Sequence, residues 1–71
     1  MIGFTEIQEL VDKDPFQSFR IRMSDGNHYD VSNTDLVVPM KNMLFIALPK
    51  SRWKFLSYQN MTSIESSEVE A

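Results

Sequence analysis

The sequence predicts an α+β fold of the small β-barrel kind, in which an N-terminal helix precedes a five-stranded, bent antiparallel sheet. Three observations carry that expectation. A one-sided apolar stripe of helical spacing occupies the first twelve residues. An Asp-Gly pair sits between two runs of alternating apolar and polar residues in FRIRMSDGNHYDVSN, residues 19–33. Further on, short apolar runs are separated by tight turn signals, with no linker and no internal repeat.

The helix comes first. In FTEIQELVDKDP, Thr5 is placed to cap it with a hydroxyl, and Gln8 three positions on completes the capping-box pattern. Ile7, Leu10 and Val11 fall at i, i+3 and i+4 on one face, and Pro15 pushes Asp14 out of helical geometry. A helix of about two turns is marginal alone, so it must lie on an apolar surface.

The hairpin supplies that surface, and its register follows from its side chains. A two-residue Asp25-Gly26 loop sets Met23 against His28 and Ile21 against Asp30, mixing core and solvent residues. A three-residue loop Ser24-Asp25-Gly26, with Gly26 in the left-handed conformation, pairs Ile21 with Tyr29 and Phe19 with Val31. The other face then sets Arg20 opposite Asp30 and Arg22 opposite His28.

After the polar break SNTD, the runs LVVPM and NMLFIAL form a second hairpin through Lys41-Asn42, where Asn tolerates positive φ. Pro39 cannot donate to a ladder, which makes residues 36–40 an edge strand. RWKFLSY alternates Trp53 and Phe55, expected inside, with Arg52 and Lys54, expected outside; MTSIES adds a last short strand with Met61 and Ile64. Residues 1–65 form one domain, and the acidic residues 66–71 form a disordered tail.

Composition narrows the function classes. A chain of 71 residues holds one small core, and domains of this size often gain stability from an oligomeric partner. Cysteine is absent, so neither disulfides nor thiolate metal sites are available, and no apolar run has the roughly 18 residues of a membrane span. We read a mature, soluble, cytoplasmic chain without a membrane partner. The net charge of −3 argues against a generic nucleic-acid binder, while leaving room for a local basic patch.

The segment DPFQSFRIRMSDGNHYDVSNTDLVV, with the later ALP and NMTSIE, resembles a family of short bacterial proteins of unknown function. That family's pattern runs Pro-Phe-x-x-Phe-Arg-Ile, Asp-Gly, a hydrophobic-x-Val strand, an acidic-hydrophobic step, Leu-Pro and a closing His-Ile-x-x-Ile-Glu. The likeness spans residues 15–65, with Asn60 where the family often has His, and it implies no activity. A weaker likeness is to Sm-like proteins, whose N-terminal helix and five-stranded bent barrel often assemble into RNA-binding rings. FRIRMSDGNHYDV resembles their first hairpin, and Tyr58, Thr62 and Ile64 suit the Tyr-Lys-His-Ala-Ile-Ser-Thr-Val segment of the bacterial Sm-type RNA chaperone. Gln59 and Asn60 replace its RNA-contacting Lys and His, so the resemblance implies an Sm-like or SH3-like architecture rather than an RNA site.

Candidate sites are few. His28, Asp30 and Asp25 could be imagined as metal ligands, or Ser24, His28 and an Asp as a nucleophilic triad. One tight hairpin, however, neither supplies a full ligand set nor encloses a substrate. Arg20, Arg22, Arg52 and Lys54 form an outward basic stripe if their strands are neighbours, suited to phosphates or an acidic protein. The aromatic residues Phe16, Phe19, Tyr29, Phe45, Trp53 and Phe55 read as core, with Trp53 and Tyr58 partly exposed beside the stripe. The expectation is a non-catalytic interaction module without a cofactor, acting through sheet edges on a protein partner, a second copy included. The alternative is RNA or single-stranded DNA held by Arg20, Arg22, Arg52, Lys54 and Tyr58.

Overall fold

The computed structural model describes residues 2–67. A single helix, α1 (Phe4–Val11), is followed by β1 (Phe19–Met23), β2 (His28–Val31), β3 (Val37–Pro39), β4 (Met43–Leu48), β5 (Arg52–Ser57) and β6 (Met61–Ser66). The strands form two antiparallel sheets of three, in the orders β2-β1-β6 and β3-β4-β5. The expected single five-stranded sheet is therefore corrected to six strands in two sheets that do not close into a barrel. The six strands fall on the six runs read in the sequence, the last two lying in residues 52–66, where a 3₁₀ turn at Tyr58–Asn60 carries the chain from one sheet to the other.

The helix starts earlier than Thr5 predicts. Gly3 is the N-cap, and its amide donates to Glu6 Oε1 at 2.9 Å, while the Ile7 amide reaches Gly3 O at 3.2 Å. Starting at Phe4 lets Glu6 satisfy an amide that no intrahelical partner can reach, and it leaves Ile2 free to pack on the core. The expected apolar stripe holds: Ile7 is fully buried, and Leu10 and Val11 pack beside it.

The first hairpin has the expected register, Phe19↔Val31, Arg20↔Asp30, Ile21↔Tyr29 and Arg22↔His28. Its loop is residues 24–26, with Gly26 at φ 92° and the Met23 amide donating to Asn27 O at 2.8 Å. Asp25 Oδ1 accepts from the Asn27 amide at 2.9 Å, which fixes the loop rather than leaving a free ligand. On the other side of β1 the ladder with β6 slips between Arg22 and Met23, pairing Met23 with Met61 and Arg22 with Ser63. Thr62 is the extra residue of this bulge, and its Oγ1 donates to Arg22 O at 3.1 Å. The slip restores phase, so that Met61 and Ile64, three apart, both turn inward.

Leu36 belongs to a 3₁₀ turn, Thr34–Leu36, capped by Asn33 Oδ1 on the Asp35 amide at 2.9 Å; the edge strand itself is Val37–Pro39. Lys41 and Asn42 make the next turn, closed by the Met40 amide on Met43 O at 2.9 Å. Positive φ among the described non-glycine residues falls not at Asn42 but at Lys50 (65°) and Ser51 (61°), in the β4–β5 connection.

The second sheet also inverts one expectation. Leu44 pairs with Leu56 and Ile46 with Lys54, so these four side chains share the core-facing side, whereas Phe45 pairs with Phe55 and Ala47 with Trp53 on the outer side. Trp53 and Phe55 thus point away from the core. Leu56 decides the phase, because burying it beside Leu44 and Ile46 forces its odd-numbered neighbours outward. Val31, Val37, Ile21 and Tyr58 complete the core between the sheets. β6 runs through Ser66, and the Ser67 amide donates to Ser18 O at 3.2 Å; residues 68–71 of the expected tail lie outside the described residues. Among the described residues no helix is long and apolar enough to cross a membrane.

Candidate functional site

The four expected cations do not form one stripe. Arg20 and Arg22 lie on β1 in the first sheet, and each already holds a carboxylate. Arg20 Nε donates to Asp30 Oδ1 at 2.7 Å and its Nη2 to Oδ2 at 3.3 Å. Arg22 reaches diagonally across β6, with Nε on Glu65 Oε2 at 3.1 Å and Nη2 on Oε1 at 3.2 Å. These hydrogen bonds hold the Asp30 and Glu65 carboxyls below the usual carboxylate range. A guanidinium engaged at both arms by a carboxylate has little left for a phosphate.

Arg52 and Lys54 stand in the second sheet, on the core-facing phase of β5 at its open margin. Lys54 carries its stem past that margin and donates from Nζ to Tyr29 Oη at 3.0 Å, with the ammonium 5.6 Å from the Tyr29 ring centre. The Tyr29 hydroxyl holds Lys54 above the ordinary lysine range. The contact bridges β5 and β2 across the gap where a closed barrel would have hydrogen bonds. Arg52 Nε makes only a long contact, 3.4 Å, to Pro49 O.

Tyr58, expected partly exposed, is 7% exposed, and its hydroxyl donates to Met40 O at 2.6 Å. It ties the 3₁₀ turn to the β3–β4 connection. His28 lies exposed on β2 opposite Arg22, and among the described residues no three His, Cys, Asp or Glu side chains are grouped as metal ligands would be.

The outer side of the second sheet bears out the exposure expected of Trp53 and departs from expectation at Phe55, which was read as core. Trp53 is 61% exposed, Val38 53%, Phe55 48% and Met43 38%, and the half-buried Phe45 lies between them. Phe45, Trp53 and Phe55 form one cluster, their ring centres 6.2, 5.7 and 5.5 Å apart. Val38 stands directly across from Phe45 on β3. A lone exposed aromatic residue is ordinary, but three touching rings extended by Val38 and Met43 are a contiguous apolar face of the kind that marks an interaction site.

Charge is distributed unevenly around it. Residues 37–64 contain Lys41, Lys50, Arg52 and Lys54 and no Asp or Glu at all, although the whole chain is acidic. The second sheet and its turns therefore carry only positive charge. Among the described residues, Lys41, Lys50 and Arg52 make no ion pair. Lys41 lies at the turn before β4 and Lys50 at the turn after it, so a cation flanks the aromatic face at each end of the strand, while Arg52 stands on the opposite phase of β5.

No family model, curated protein or solved structure matches this chain. Functional inference rests on the face itself. Two sequence signals pointed there: the carboxylate-free stretch 37–64, and the run LFIAL, whose unbroken apolar character means that a large side chain must lie on each side of β4.

Proposed function

We propose that this protein is a small, non-catalytic interaction module whose recognition surface is the outer side of the β3-β4-β5 sheet, centred on Phe45, Trp53 and Phe55. The observation that carries the reading is the exposed three-ring cluster. Aromatic residues concentrate binding energy at interfaces because they remove a large apolar area from water at the cost of few rotatable bonds. On this reading the working surface is a sheet face rather than the sheet edges, and Arg20 and Arg22 serve the fold's outer polarity.

The reading is tested by placing a photo-cross-linking phenylalanine analogue at position 53, and in a control at position 9 on the exposed side of α1, in cells that express the protein. Adducts of defined mass that form from position 53 and not from position 9 are the expected result, whether the captured molecule is a second copy, another protein or a nucleic acid. Equal or absent labelling from the two positions would refute a specific surface here.

A further inference from the structure

The charge around the aromatic face identifies its occupant more narrowly. We infer that the outer side of the β3-β4-β5 sheet binds single-stranded nucleic acid, bases against Phe45, Trp53 and Phe55 and phosphates toward Lys41 and Lys50 in the turns at either end of β4. This rests on the interaction-surface reading above and goes beyond it by naming the partner's chemistry.

Three features of the face lead there. First, among the described residues no carboxylate pairs with Lys41 or Lys50, unlike Arg20 and Arg22 on the other sheet. Second, the cations stand beyond both ends of β4, a strand of six residues that spans roughly 17 Å at 3.4 Å per residue. A flexible polyanion can cross such a platform and meet positive charge at each end. Third, Phe45, Trp53 and Phe55 meet on one sheet face with Trp53 and Phe55 exposed, so they offer ring surface to a flat apolar group. An unpaired strand has base faces free to meet such rings, where a duplex keeps its bases stacked inside.

A second copy fits less well. A symmetric dimer through this face places the same patch on both subunits, so the flanking cations of one copy approach those of the other with no carboxylate in the sheet to answer them. A nucleic acid meets the same charges with phosphates.

The chain contains one tryptophan, Trp53, at the centre of the cluster, so its emission reports on the site directly. The experiment titrates the full chain with unlabelled twelve-nucleotide oligo(U) and oligo(dT), with a duplex of equal length as comparison, at 50 and 200 mM salt. The expected result is saturable quenching by the single strands, weaker for the duplex. With two cations engaged and a single-strand coefficient of about 0.7 per contact, affinity should fall about sevenfold between the two salts. Phe55→Ser should weaken binding about tenfold or more, as loss of a stacking platform does. A Lys41→Gln, Lys50→Gln variant should lose most of the salt dependence while keeping the wild-type melting temperature.

Unchanged emission at 50 mM salt with a monomeric protein would overturn the inference. So would a blue-shifted, oligonucleotide-independent emission accompanied by a dimer in sedimentation, which assigns the face to a second copy. Either result can coexist with position-specific cross-linking to protein, in which case the surface stands and only its nucleic-acid assignment falls.

Discussion

Removing one oxygen atom tests how the two sheets are joined. Tyr58 is buried between them, and its hydroxyl donates a 2.6 Å hydrogen bond to Met40 O, eighteen residues away in the β3–β4 turn. Tyr58→Phe keeps the ring and deletes that bond. A hydrogen bond of this kind contributes about 1 kcal/mol net, and the deletion leaves a partly buried carbonyl without this donor. At about 2.1 cal/mol/K per residue, a chain of 71 residues unfolds with an entropy of roughly 150 cal/mol/K, so the loss should lower the melting temperature by about 7 °C. Tyr29→Phe, which removes an exposed hydroxyl that only accepts from Lys54, should cost less than half of that. The difference has a pH signature. Burial pushes the Tyr58 phenol above the ordinary tyrosine range, whereas the unfolded chain ionises near pH 10. Its contribution is complete below about pH 10 and is lost as pH rises through the folded value, because the unfolded chain then binds fewer protons than the native one. Thermal unfolding followed by circular dichroism from pH 7 to 11 should therefore show wild type and Tyr58→Phe converging on the alkaline side. Equal melting temperatures at pH 7, or a constant gap through pH 11, would refute the role assigned to this hydroxyl.

Two further outcomes follow from local geometry. Asp30 and Glu65 are held below the usual carboxylate range by Arg20 and Arg22, so their contribution is present above about pH 4 and is lost as pH falls through the folded values. The urea midpoint of wild type should fall more steeply between pH 5 and 2 than that of an Asp30→Asn, Glu65→Gln variant; parallel curves would show that neither pair contributes. Ser51 has φ 61°, where a Cβ is strained, so Ser51→Gly should raise the melting temperature by about 3 °C after glycine's extra unfolded-state entropy is subtracted, and a lower value would contradict strain at this turn.

The first hairpin was readable from residues 19–33 because every constraint agreed. A shift of one position mixes polar and apolar side chains on both faces, and Gly26 is where a three-residue loop needs positive φ. The apolar stripe of α1 was equally legible, but its cap was not, since Thr5 and Glu6 each offer a plausible capping group. The choice between them depends on Ile2 finding the core, a tertiary fact. The turn at residues 58–60 was legible as a connection between two strands, but the change of sheet it makes was not, because that is set by Tyr58 entering the core.

The side of β5 that carries Trp53 and Phe55 was not legible, for an instructive reason. Alternation in RWKFLS shows that Trp53 and Phe55 share one side of β5 and Lys54 the other, but not which side is inside. Hydrophobicity alone favours burying the rings. The strand instead buries Leu56 with Leu44 and Ile46, and it keeps Lys54 on the same side, where the ammonium escapes to Tyr29 at the open margin. Two large rings are thereby left in water while Leu56 is buried. Sites where local chemistry and the fold disagree in this way are where function is to be sought. On the proposed reading, the carboxylate-free stretch 37–64 bears on the partner: these residues leave the aromatic side of the sheet bordered by cations alone, in a protein whose remaining charge is acidic. A polyanion with flat apolar groups satisfies both the rings and their border, and a neutral protein surface satisfies only the rings.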